Sequence, residues 1–75
     1  MIDEVNIFPN PASDMLYVNV ASNLKAELSL FDVYGREIRN IEQREIDMKG
    51  LEGGIYFLQI KTAEGIAVKK IVVQR

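Results

Sequence analysis

Gly53-Gly54-Ile55-Tyr56-Phe57-Leu58-Gln59-Ile60 is the stretch whose reading decides the fold. After a glycine pair, Tyr56, Leu58 and Ile60 alternate with Ile55, Phe57 and Gln59, the period of two that belongs to a strand half-buried against a core. Tyr56 stands two residues past a turn glycine at the start of an inner strand. In two-sheet sandwiches that is the position from which a tyrosine hydroxyl bonds back to upstream backbone, here expected near Leu51 or Glu52. On the plainer reading Tyr56 is a core ring with a wet tip; both readings bury the ring.

On either side of this stretch the same grammar continues. Thr62-Ala63-Glu64-Gly65 is a turn that joins it to a last strand, in which Ile71 and Val73 alternate with Lys70 and Val72 and are the better candidates for the core. Upstream, Asp32-Val33-Tyr34-Gly35 is a turn with a mechanism. Asp at the first position bonds the backbone ahead, and Gly at the fourth takes the left-handed conformation of a type I turn with a bulge. It joins Leu28-Ser29-Leu30 to a return strand around Ile38. Residues 41–50 hold Glu, Gln, Arg and Lys and suit a helix on propensity, but Gly50, Gly53 and Gly54 limit it to about two marginal turns. A short strand around Ile46 is preferred. The count is seven antiparallel strands, about 4–8, 15–20, 26–32, 36–41, 45–47, 55–62 and 66–74, and the expected fold is an all-β, immunoglobulin-like sandwich. Its expected core is Val5, Ile7, Leu16, Val18, Leu28, Leu30, Ile38, Leu51, Tyr56, Leu58 and Ile60, with Ile71 and Val73.

Between the first two strands lies Phe8-Pro9-Asn10-Pro11-Ala12-Ser13-Asp14. Residues before proline are pushed to extended conformations and proline donates no ladder hydrogen bond, so the chain must turn here. At 75 residues, 48% hydrophobic and 27% charged, the chain reads as one globular domain, residues 1–75, with no room for a deep cleft. No apolar run approaches the ~20 residues of a spanning helix. Met1 directly abuts strand sequence, and we expect it to begin a fragment whose export signal lies far upstream. The net charge of −2 is unevenly spread: residues 1–54 hold five Lys or Arg against ten Asp or Glu, residues 55–75 four against one. Lys69, Lys70 and Arg75 make a basic end that either steers an acidic partner or protects a solvated edge strand.

Catalytic chemistry finds few residues to work with. There is no histidine to act as general base and no cysteine nucleophile or thiolate ligand. Ser13, Ser22 and Ser29 lack an evident basic partner, and Asp3, Glu4 and Asp14 form at best a loose group for calcium. Gly53-Gly54 has neither the spacing nor the helix of a phosphate loop, and the acidic balance argues against nucleic acid. We expect no enzyme activity, cofactor or metal. Phe31, Ile55 and Phe57 are placed to face outward, as a patch for sugar or protein.

Taken in order, Phe8-Pro9-Asn10-Pro11-Ala12-Ser13-Asp14, Leu28-Ser29-Leu30-Phe31-Asp32-Val33-Tyr34-Gly35-Arg36, residues 51–60 and Lys69-Lys70-Ile71-Val72-Val73-Gln74-Arg75 resemble the type A C-terminal sorting domain of the type IX secretion system. The resemblance covers nearly the whole chain. It implies an immunoglobulin-like module that ends a cargo protein of Bacteroidetes and addresses it from periplasm across the outer membrane to the surface or medium. Pro9, Asn10 and Pro11 match the proline motif, Gly35 the central glycine motif, and Lys69, Lys70 and Arg75 the basic terminal motif. The implied partners are an outer-membrane translocon, a shuttle protein, a sortase that removes the domain, and cargo attached at the N-terminus. An edge strand in the last hairpin would take a partner strand or self-associate, and loss of residues 69–75 is expected to abolish export. The alternative is an accessory carbohydrate- or protein-binding module of a surface protein.

Overall fold

The computed structural model describes residues 5–9, 14–20, 25–41 and 44–74. Short runs of alternating apolar residues, interrupted by Gly and by Asp or Thr turn-formers, form seven strands: β1 (Val5–Phe8), β2 (Met15–Val20), β3 (Glu27–Phe31), β4 (Glu37–Ile41), β5 (Glu45–Asp47), β6 (Gly54–Thr62) and β7 (Gly65–Val73). They make a three-stranded sheet in the order β1-β2-β5 and a four-stranded sheet in the order β4-β3-β6-β7. Every pairing is antiparallel. Between the sheets a single cluster forms from Leu16, Val18 and Ile46 on one side and Leu28, Leu30, Tyr56, Leu58, Ile60, Ile71 and Val73 on the other. This is the expected β-sandwich, and no helix occurs among the described residues.

The inward parity of β7 is that of Ile71 and Val73, which pair with Tyr56 and Gly54 of β6. Val5, Ile7, Ile38 and Leu51 are only partly buried against the core. For Val5 and Ile7 the reason is that β1 is an edge strand of the smaller sheet, covered on one flank. The core also contains three residues outside the sequence expectation: Ala26, Ile46 and Met48. Ile46 and Met48 are fully buried. Residues 45–47 form the short strand rather than the helix, because Ile46 pairs with Leu16 and the tertiary contact outweighs the helical propensity of its neighbours.

Both hairpin turns are built as the sequence suggests, with different side chains. At the first, Gly35 has φ +82 and its N–H donates to the Asp32 carbonyl at 3.1 Å. The second closes Thr62 against Gly65, with the Glu64 N–H donating to the Thr62 hydroxyl at 3.1 Å and Gly65 at φ +143. A register shift between Leu30 and Phe31 in the β3–β4 ladder places Ile38 and Arg39 together opposite Leu30.

Candidate functional site

The Asp32 carboxylate organises the turn after β3. It accepts hydrogen bonds from the Tyr34 N–H at 2.9 Å, the Arg36 N–H at 3.0 Å and Arg36 Nε at 2.8 Å. Desolvation of this carboxylate, which is 14% exposed, opposes ionisation. The hydrogen bonds from Arg36 and Tyr34 and the charge of Arg36 outweigh it and hold the Asp32 pKa below the ordinary value of 3.8. The result is a stiff tip that offers apolar surface: Val33 is 55% and Tyr34 82% exposed, with the Arg36 guanidinium 5.7 Å from the Tyr34 ring centre.

Facing this tip is the segment between β5 and β6, which crosses from one sheet to the other. The tyrosine corner fixes its end: the Tyr56 hydroxyl donates to the Glu52 carbonyl at 2.6 Å, within the range expected from sequence. At its start the Met48 N–H donates to the Asp14 carbonyl at 2.7 Å, and the Leu51 N–H to the Met48 carbonyl at 3.3 Å. Turn and crossing segment leave a shallow groove between them, with Tyr34, Ile38, Leu51, Gly54 and Ile55 in its walls. The bond to Asp14 and the pairing of Phe8 with Tyr17 bring both ends of the proline segment, Phe8 and Asp14, to this end of the sandwich. Pro9 follows Phe8, whose ring stacks on Tyr17 with centroids 5.7 Å apart. Asn10 and Pro11 lie outside the described residues, as does Arg75.

The ladder registers then locate the basic ribbon. Val73 pairs with Gly54, so β7 finishes at the same end, and Lys70 pairs with Phe57 and Lys69 with Leu58, three and four positions short of it. Both lysines are exposed. They project to opposite faces of β7: Lys69 shares the inward parity of Ile71 and is nonetheless exposed, on a strand at the edge of its sheet, and Lys70 is on the outer face. Of the residues singled out from sequence, Pro9 and Gly35 therefore meet at one pole, with Lys69 and Lys70 on the strand that leads to it. Val5, paired with Val20, stands at the opposite pole, so β1 carries the chain toward the elbow from the far end. Sequence reasoning had not singled out Tyr34 and Arg36, although the Asp32-x-x-x-Arg36 spacing across a tight turn is a usable signal for a tip held by its own ion pair.

The groups gathered here are turn backbone, exposed aromatics and lysines, with no nucleophile and base brought together. Among the described residues no cluster of three Asp or Glu suits a metal ion. Comparison with known proteins agrees with the order of motifs. A model of a family described as the secretion system C-terminal sorting domain matches residues 6–74. Beta-agarase D of Zobellia galactanivorans is 27% identical over 71 residues, which cover 95% of this chain and 15% of that protein. The chain thus spans a small part of the curated relative it matches.

Proposed function

The chain belongs to the type IX secretion system C-terminal sorting domain family, whose members are non-catalytic sorting signals, and from that premise we propose that it carries an attached N-terminal cargo through the periplasm and across the outer membrane. Once outside, the domain is removed by a surface sortase. The translocon and its shuttle protein read the pole where the proline elbow, the Gly35 turn and the end of β7 converge, with Lys69, Lys70 and Arg75 providing charge steering. The observation that carries this reading is the convergence itself. Three segments far apart in sequence lie at the end of the sandwich opposite Val5, the first residue of β1, an arrangement that suits an N-terminally attached cargo held away from them.

The geometry supports these roles. Pro9 at the elbow and Gly35 at φ +82 set backbone shape, and the lysines supply charge on both faces of one strand. Such a division suits recognition of a folded object, in which stiff turns lower the ordering cost of binding. The test is a fusion of residues 1–75 behind a periplasmic reporter in a bacterium that has this export system. Secretion of the reporter, its loss on Lys69→Glu with Lys70→Glu, and recovery of a cleaved reporter N-terminal to the domain are expected. Retention in the periplasm with the domain folded would overturn the proposal.

A further inference from the structure

The outward face of the four-stranded sheet is antisymmetric in charge about the seam between β3 and β6. Side chains opposite one another in the ladders form rows across it. One row reads Glu37, Phe31, Phe57, Lys70 over β4, β3, β6 and β7; the next reads Asn40, Ser29, Gln59, Val68; the third has Glu27, Lys61 and Ile66 over β3, β6 and β7. Apart from Phe31 the β4–β3 half is acidic or polar, with Glu37, Asn40, Ser29 and Glu27, and apart from Gln59 the β6–β7 half is basic or apolar, with Phe57, Lys61, Lys70, Val68 and Ile66. This face is also unusually apolar for one turned to solvent: Ile55 is 42%, Phe57 36%, Ile66 55% and Val68 59% exposed.

Rotation by 180° about an axis lying on that seam, parallel to the strands, carries β6 over β3 and β7 over β4 of a second copy. It sets Phe57 over Phe31, Lys61 over Glu27, Gln59 over Ser29 and Lys70 over Glu37. The other in-plane two-fold, perpendicular to the strands, sets the basic half on the basic half. We propose that this face is an isologous interface between two copies of the chain, stacked sheet on sheet with strands within about 30° of each other. Four strands ~4.8 Å apart and rows ~7 Å apart give a face of roughly 400–500 Å² per copy, below the ~800 Å² per partner of a standard interface. The dimer is accordingly weak and reversible, and it stands independently of the sorting function.

Sedimentation velocity on the 75-residue chain from about 10 μM to 1 mM tests this, the range in which an interface of this size associates. Mass should rise with concentration from 8.5 kDa toward twice that value. Glu27→Lys and Lys61→Glu should each raise the dissociation constant about tenfold or more by gathering four like charges, and the two together should restore it, since the exchanged pair is again antisymmetric. Phe57→Lys should abolish association while the circular dichroism melt of the dilute protein stays cooperative. A chain monomeric to about 1 mM, a dimer indifferent to Phe57→Lys, or a charge exchange that fails to rescue would each overturn the proposal.

Discussion

Deleting residues 69–75 and reversing the charges of Lys69 and Lys70 are two perturbations of one strand with different physical consequences. Deletion removes Ile71, which is fully buried, and Val73, which is 2% exposed. At about 1.5–3 kcal/mol for each buried aliphatic side chain, the loss is roughly 3–6 kcal/mol before the β6–β7 ladder is counted. A domain of this length has about 4–11 kcal/mol of total stability, so deletion brings it to the edge of unfolding or past it. The double variant Lys69→Glu, Lys70→Glu removes no buried atom and changes stability by about 0.5 kcal/mol or less per site. Urea melts of the purified variants and the secreted fraction of an upstream reporter measure the two effects side by side. We expect the deletion to lose both its cooperative melt and secretion. The charge reversal should keep the melt and lose secretion at least tenfold, about 1.4 kcal/mol of recognition. Wild-type secretion from the charge-reversed domain would refute a basic signal and leave the tail a purely structural role; a cooperative melt after deletion would refute the burial arithmetic.

Tyr56→Phe removes one hydrogen bond to a carbonyl on the exposed residue Glu52, which water can then solvate, so about 1 kcal/mol and roughly 4–8 °C in Tm are expected to be lost. A shift below about 1 °C in a thermal melt would remove the corner from the list of structural ties. At Gly35, where an added Cβ meets nothing within 4 Å, alanine should cost about 1 kcal/mol through backbone conformation alone, and asparagine less; equal urea-melt losses would contradict this. Because the folded-state pKa of Asp32 is lowered, its contribution is fully present above the unfolded carboxylate value and is lost as pH falls through the folded one. The stability gap between wild type and Asp32→Asn should therefore hold from neutral pH down to about 5 and shrink below 3.8, and a gap unchanged in acid would show that the turn does not depend on the charge.

The long last hairpin and both turns were legible because each rests on local chemistry: period-two alternation over nine residues, a carboxylate able to bond the backbone ahead, and a glycine where φ must be positive. Tyr56 was legible for a similar reason, since its acceptor lies four residues upstream. Ile46 and Met48 were harder. Their neighbours favour helix, and only pairing with β2 makes a three-residue strand worth forming, a contact some thirty residues away in sequence. Ala26 is too small to stand out in an alternating pattern. Burial of Ser29 on the outer face was likewise not apparent, because it depends on Asn40, whose amide donates to the Ser29 hydroxyl at 3.3 Å from the neighbouring strand. Convergence of elbow, turn and ribbon at one pole follows from topology, through the Met48 bond to Asp14 and the pairing of Val73 with Gly54, and no local pattern encodes it.

That topology joins the proposed signal to the folded state. In β7 the alternation that sends Ile71 and Val73 into the core is the same alternation that fixes Lys70 on the outer face and Lys69 on the inner one. The charges therefore occupy defined positions only while two residues beside them hold the sandwich closed; in an unfolded tail the same residues keep their charge and lose their geometry. A receptor that reads both lysines against the Gly35 turn thus tests folding as it tests identity. Small stability becomes consequential under this scheme, since the fraction of domains with a readable pole is the folded fraction. Substitutions far from the pole, such as Ile60→Ala at a fully buried site near the Thr62–Gly65 end, should lower secretion in proportion to the unfolded population they create, about 2–5 kcal/mol in cost and restorable by cooling or a stabilising osmolyte. Secretion that followed the lysines but not the folded fraction would mean that the signal is read as a linear peptide, and the convergence of the three segments would then have no part in it.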